Sequence, residues 1–197
     1  MSSTKERIIE ESLTLFSTYG YSGVTMEDIA SKVGIKAPSI YKHFKGKEDI
    51  YTSILRQAEE SFSSLVKIFE QEDKTRGIED LELEVIGIRV FEYFYHDQFI
   101  SKVRKMISLE LYKNPEMTNF YIKKYIEDPL QDHFDIFKKF QCVDWVDYNT
   151  LAIIFYSPIY MLLKLCDANK EREKDAYNEL RKTYSFLEKI MLEIEHK

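Results

Sequence analysis

Between Lys32 and Lys47 stand five lysines (32, 36, 42, 45 and 47) and no carboxylate. Ala37, Pro38, Ser39, Tyr41 and His43 are interleaved with them. Side chains of these types suit a nucleic-acid backbone and its base edges. Lys42 and His43 can pair with phosphates or reach bases, while the Ser39 hydroxyl and the Tyr41 phenol can donate to phosphate oxygens. Ala37 and Pro38 offer apolar contact to a thymine methyl. Thr25 at one helix start and Lys47 at another can each hold a phosphate oxygen, because the first N–H groups of a helix point outward unpaired. Lys36, the cation that opens the central run, completes the candidate set. A solvated lysine-rich face on a helical hairpin is the plainer reading of the same charges, and Tyr41 can equally be a packing residue.

Two short helices joined by a tight turn must hold these groups. Thr25 is a hydroxyl N-cap, with Asp28 three residues on as a capping-box partner. Ile29, Ala30 and Val33 give the first helix an apolar face, and Gly34 suits the left-handed residue that ends it. Pro38 fits the first turn of a second helix of about two turns, where its missing N–H costs nothing. Ile40 and Phe44, four apart, face inward, which turns Ser39, Lys42 and His43 outward.

The formal net charge of the chain is −6, yet residues 1–47 carry 7 basic and 5 acidic groups against 21 and 29 in the remainder. A basic island on a helix-turn-helix in an acidic protein has the electrostatics of a DNA-docking surface.

The run from Ile8 to Lys47 resembles the N-terminal domain of TetR-type transcriptional regulators. The matching residues are Ile8, Ile9, Leu13, Phe16, Gly20, Tyr21, Thr25, Ile29, Ala30, Val33, Gly34, Ile35, Ser39, Ile40, Tyr41, His43, Phe44, Lys47 and Glu48. The segment GIKAPSIYKHF followed by KGKE carries the most specific part. Lys36 departs from the pattern, since the family often has Ser or Thr there to cap the second helix. The resemblance covers the first quarter of the chain. It implies that Thr25, Pro38, Ser39, Tyr41, Lys42, His43 and Lys47 approach DNA. It also implies two domains: a three-helix helix-turn-helix head over residues 1–47 and a larger helical effector-binding and dimerisation body over 48–197.

Composition agrees with an all-α fold. With 197 residues and 44 % hydrophobic content a substantial core can form, and 6 Gly with 4 Pro supply too few turns for an all-β chain. A first helix is expected over about Lys5 to Tyr19, stopped by Gly20. A linking helix from Lys47 to Phe69 follows, then a charged loop over Glu70–Gly77. From Ile78 to Tyr95 apolar residues fall on several sides, the pattern of a buried central helix. Shorter helices are expected over Phe99 to Leu111 and after Asn114-Pro115, the latter kinked at Pro129 unless Asp128 caps a new one. Asp144 or Asp147 caps the next, whose LAIIFYSPIYMLLKLC stretch, at about 16 residues, reads as too short to span a bilayer. In the last helix Tyr177, Leu180, Tyr184, Leu187 and Met191 alternate by three and four, a heptad seam. Together with Ile159 and Leu163 they are the expected interface between two copies, an expectation that leans partly on the resemblance.

The chain holds 14 Tyr and 13 Phe. Aromatics at helical spacing are ordinarily core. The resemblance, not the spacing, suggests a pocket among the central helices lined by Phe91, Phe94, Tyr95, Met106, Tyr112, Tyr121, Tyr125, Phe155, Tyr156 and Tyr160. A hydrophobic or aromatic effector would suit it.

Catalytic readings lack support. The histidines at 43, 96, 133 and 196 have no ligand-like spacing, and no phosphate-binding glycine loop or nucleophile elbow occurs. Cys142 and Cys166 form no metal or redox motif. No metal or cofactor is expected. The charged N-terminus reads as no signal peptide, which favours a cytoplasmic protein. The expectation is a homodimeric regulator, most plainly a repressor, that leaves a near-palindromic operator when a small effector fills the body. The two alternatives are a constitutive DNA-binding regulator without effector and a helical protein-interaction module.

Overall fold

The computed structural model describes residues 3–73, 82–113, 115–139 and 147–195. All regular elements among them are helical. They are α1 (Thr4–Tyr19), α2 (Met26–Val33), α3 (Ala37–Ile40), α4 (Lys47–Asp73), α5 (Leu83–His96), α6 (Gln98–Glu110), α7 (Pro115–Ile122), α8 (Asp128–Lys139), α9 (Tyr148–Ala168) and α10 (Glu173–Glu195). A π-helical turn (Lys123–Glu127) joins α7 to α8, and a 3-10 turn (Lys170–Arg172) precedes α10. The expected closing Gly77, the Asn114 cap and Cys142 lie outside the described residues.

The chain packs as two compact units, Met1–Leu65 with Gln98–Lys123 and Val66–Asp97 with Lys124–Lys197. The division expected at Lys47 does not coincide with these units, since packing adds α6 and α7 to the N-terminal helices.

In the first unit α1 starts on a capping box missed in the sequence. The Ser3 hydroxyl accepts from the Glu6 N–H at 3.2 Å, and Glu6 accepts from the Ser3 N–H at 2.7 Å. Ile8, Ile9, Leu13 and Phe16 bury one face of the helix, which packs on α2 and α6. From α6 come buried Ile100, Val103, Met106 and Ile107. The linking helix passes the expected end at Phe69 and continues to Asp73. Glu and Gln favour helix, and no Gly or Pro interrupts the sequence before Gly77.

In the second unit α9 and α10 pack with α5, and α9 also with α8. The central helix is fully buried along one face only. Leu83, Gly87, Val90, Phe91 and Phe94 are buried, while Val85, Arg89 and Glu92 are exposed. Gly87 lets α10 come close, with the Tyr184 ring lying where a Cβ would stand. The Tyr184 hydroxyl donates to the Phe155 carbonyl on α9 at 2.8 Å, both buried. The irregularity expected at Pro129 takes the form of the π turn just before it. Proline has no N–H for the Tyr125 carbonyl four residues back. That carbonyl accepts the buried Tyr156 hydroxyl at 2.9 Å instead.

Asp147 caps α9, accepting from the Thr150 N–H at 3.0 Å, so the helix is 21 residues long. The expected 16-residue limit is thereby corrected. Its mean hydropathy of 1.5 makes it, among the described residues, the one helix long and apolar enough to cross a membrane by length and composition. Leu151, Ala152, Phe155, Tyr156, Ile159, Leu162, Leu163 and Cys166 are nevertheless buried within its own unit.

Candidate nucleic-acid interface

Thr25 and Asp28 fix the start of α2. The Thr25 oxygen accepts from the Asp28 N–H at 3.1 Å, and Asp28 Oδ2 accepts from the Thr25 N–H at 2.9 Å and its hydroxyl at 2.6 Å. These bonds hold the Asp28 carboxyl below its ordinary pKa, side-chain bond first and backbone bond second. The folded pKa being depressed, the stabilisation is present at neutral pH and is lost as pH falls through that lowered value. Thr25→Ala is expected to lower stability by about 1 kcal/mol and to flatten this acid-side loss. Urea unfolding at neutral and mildly acidic pH measures both.

Gly34 ends α2 in the left-handed conformation (φ 77, ψ 34), and its N–H reaches the Ala30 and Ser31 carbonyls. From α1 the Arg7 guanidinium donates to the Val33 carbonyl at 2.5 Å. This places a cation at the negative end of α2. Lys36 caps α3 with no side-chain bond.

The second helix is shorter than the two turns expected. Only Ala37–Ile40 is α-helical, and residues 41–43 continue as a turn in which the His43 N–H donates to the Ile40 carbonyl at 2.8 Å. No side-chain cap and a Pro in the first turn leave α3 few internal bonds, so packing holds it. Ile40 is fully buried and Phe44 nearly so. On the outer side Tyr41 is 57 % exposed, Lys36, Pro38, Lys42 and His43 are exposed, and Ala37 and Ser39 are half-buried. These seven side chains share one short segment.

Thr25 and Lys47 are placed otherwise. The Thr25 hydroxyl is engaged by Asp28. The Lys47 ammonium, expected to hold a phosphate, donates instead to the Tyr21 and Val24 carbonyls at 2.8 and 2.7 Å, above the Tyr21 ring. It is a clamp on the turn between α1 and α2. Burial pulls its pKa down, with the Glu110 charge opposing.

Residues 8–63 match the family described as bacterial regulatory proteins, tetR family. The HTH-type negative transcriptional regulator of the biofilm operon icaADBC, IcaR, is a relative in two species. The Staphylococcus epidermidis protein is 27 % identical over 79 % of this chain and 82 % of its own length. Its Staphylococcus aureus counterpart is 51 % identical over 24 % of this chain, a match spanning a quarter of that relative. Residues 8–63 are thus a TetR-type N-terminal domain. Solved structures share the fold. FadR from Bacillus subtilis in complex with stearoyl-CoA has TM-score 0.64 at 18 % identity, covering 92 % of this chain and 96 % of that one. A SmeT–triclosan complex has TM-score 0.71 at 16 % identity, covering 94 % and 90 %.

The expected effector residues divide between the two units. Phe91, Phe94, Tyr95, Tyr125, Phe155, Tyr156 and Tyr160 belong to the second unit, where Phe91 stacks on Tyr95 and Phe94 meets Tyr125. Met106, Tyr112 and Tyr121 belong to the first. Tyr112 is 94 % exposed, so it forms no part of an enclosed wall. The heptad seam is corrected more fully. Ile159, Leu163, Leu180, Tyr184 and Leu187 are buried inside the protomer's own second unit, and Tyr177 and Met191 are half-buried. Tyr177 is hydrogen-bonded to Glu92 and lies 3.2 Å from His96 Nε2. Among the described side chains, the large apolar ones left exposed on these two helices are Ile153, Ile154, Met161 and Leu165 on α9 and Phe186 on α10. A three-and-four alternation marks a buried stripe without naming what buries it.

Proposed function

We propose that the protein is a cytoplasmic homodimeric repressor that binds a near-palindromic operator and leaves it when a lipophilic effector occupies the helical body. The carrying observation is the outward face of Pro38, Tyr41, Lys42 and His43, seated by Ile40 and Phe44 within the basic run. A segment this short reads few base pairs, so useful affinity requires two copies on one duplex. The negative sign of regulation is supported by IcaR, and the effector class by the stearoyl-CoA and triclosan of the two structural neighbours. Phe91, Phe94, Tyr95, Tyr125, Phe155 and Tyr156 are the aromatics offered to that effector. It must bind the DNA-incompetent arrangement better than the competent one to release the operator. Selecting duplexes from a random-sequence pool tests the reading. Recovery of an inverted repeat supports it; recovery of no preferred sequence refutes it.

Ile154, Met161 and Leu165 on α9, with Phe186 on α10, form the dimer face in this reading. Their spacing along α9 keeps one stripe apolar. A Met161→Glu, Phe186→Glu variant is expected to sediment as a monomer with a wild-type helical spectrum. A dimer that survives both charges would remove this face from the assembly.

A further inference from the structure

Glu110, the last residue of α6, is 1 % exposed. Its Oε2 accepts the Ser22 hydroxyl at 3.3 Å, and its Oε1 has no hydrogen-bond partner. A carboxylate that deep ordinarily gathers several donors to replace its water. Oε1 instead faces Gly20, where a Cβ would stand 2.5 Å away. Gly20 is thus required twice, once by its φ of +77 and once by the oxygen beside it. From the other side the Lys47 clamp ties the Tyr21 and Val24 carbonyls together. Residues 20–24 therefore sit between an anion supplied by α6 and a cation supplied by α4. The next residue, Thr25, is the N-cap of α2. A second polar tie, Lys102 to the Thr14 hydroxyl at 3.0 Å, joins α6 to α1 farther along.

We propose that Glu110 is a positioning residue for DNA recognition, holding from α6 the turn that sets where α2 and α3 stand. This rests on the operator-binding reading above. An apolar side chain of similar size would fill the space but give Ser22 no acceptor and Lys47 no counter-charge. Displacement of α6 would take the carboxylate out of this seat, so the reader's placement depends on a helix that touches no DNA.

The test compares two affinities in the full-length protein, one for the duplex selected by the wild type and one for a random-sequence duplex. A misplaced reader loses base contacts and keeps non-specific phosphate attraction, whereas a damaged fold loses both. Glu110→Ala is expected to bind the selected duplex about tenfold more weakly, the factor typical of one hydrogen bond to a charged group, with random-duplex binding unchanged. Amide exchange over residues 21–24 should quicken in the same variant. Glu110→Gln, whose amide oxygen still accepts from Ser22, is expected to recover part of the loss. Parallel loss of both affinities, or no loss of either, would overturn the proposal. A wild type that selects no duplex would overturn the operator reading and this role with it, and the exchange data, read without DNA, would still show whether Glu110 holds the turn.

Discussion

A Tyr41→Ala, Lys42→Ala double variant is expected to bind the operator about a hundredfold more weakly than the wild type. Both side chains are exposed, and neither appears among the packed residues of the reader, so the melting temperature should hold. Removing a phosphate-pairing lysine from each of two copies should also lower the slope of log affinity against log salt by about two. Loss of affinity with an unchanged slope would assign the effect to Tyr41 alone. Unchanged affinity would take α3 out of the interface. Equal weakening on random DNA would make Lys42 a positioning contact and leave sequence readout to Pro38, Ser39 and His43.

The second large effect lies far from DNA. In Gly87→Ala the new methyl would stand 2.0 Å from Tyr184 Cε2 and 2.4 Å from Cζ. The ring cannot swing away freely, because its hydroxyl is bonded to the Phe155 carbonyl in a buried setting. Either α5 and α10 move apart or that bond breaks. Overpacking costs about 1–3 kcal/mol, and a buried tyrosine hydroxyl left without its acceptor about 1–3 kcal/mol. The gain from alanine's better helix propensity is only about 1 kcal/mol. The net expectation is a destabilisation of about 3 kcal/mol and a melting temperature lower by roughly 10 °C. Adding Tyr184→Leu to Gly87→Ala should recover part of it, since the pair is in contact and non-additive. A Gly87→Ala protein as stable as the wild type would show that the two helices tolerate separation.

The reader was the most legible part of the chain because its signals are local. Thr25 with Asp28, Gly34 with its positive φ, and Ile40 with Phe44 each state their geometry within a few residues. The length of α3 was not legible, since packing of Ile40 and Phe44, not propensity, decides how much of 37–44 is helical. The clamp made by Lys47 was not legible for a related reason. A lysine at a helix start looks available to phosphate until the carbonyls of Tyr21 and Val24, more than twenty residues earlier, come within reach. Glu110 gave no sequence signal, because a carboxylate ending an amphipathic helix is ordinarily solvated. In the body, the stripe Leu180, Tyr184, Leu187 was visible, but its partner was not. Periodicity says that a face is covered, and only the contacts with α5 and α9 say by what. Gly87 was the missed hint there, as a glycine inside a strongly apolar helix often marks a close neighbour.

Hydroxyl-radical cleavage of a selected duplex in the presence of the wild-type protein tests the central claim most directly. Two copies reading successive major grooves predict two protected patches on one face of the DNA, centred about 34–36 Å apart. Both patches should vanish with the Tyr41→Ala, Lys42→Ala variant. A single patch, or protection that the variant leaves intact, would contradict the claim that a paired, basic helix-turn-helix is what this chain presents to DNA.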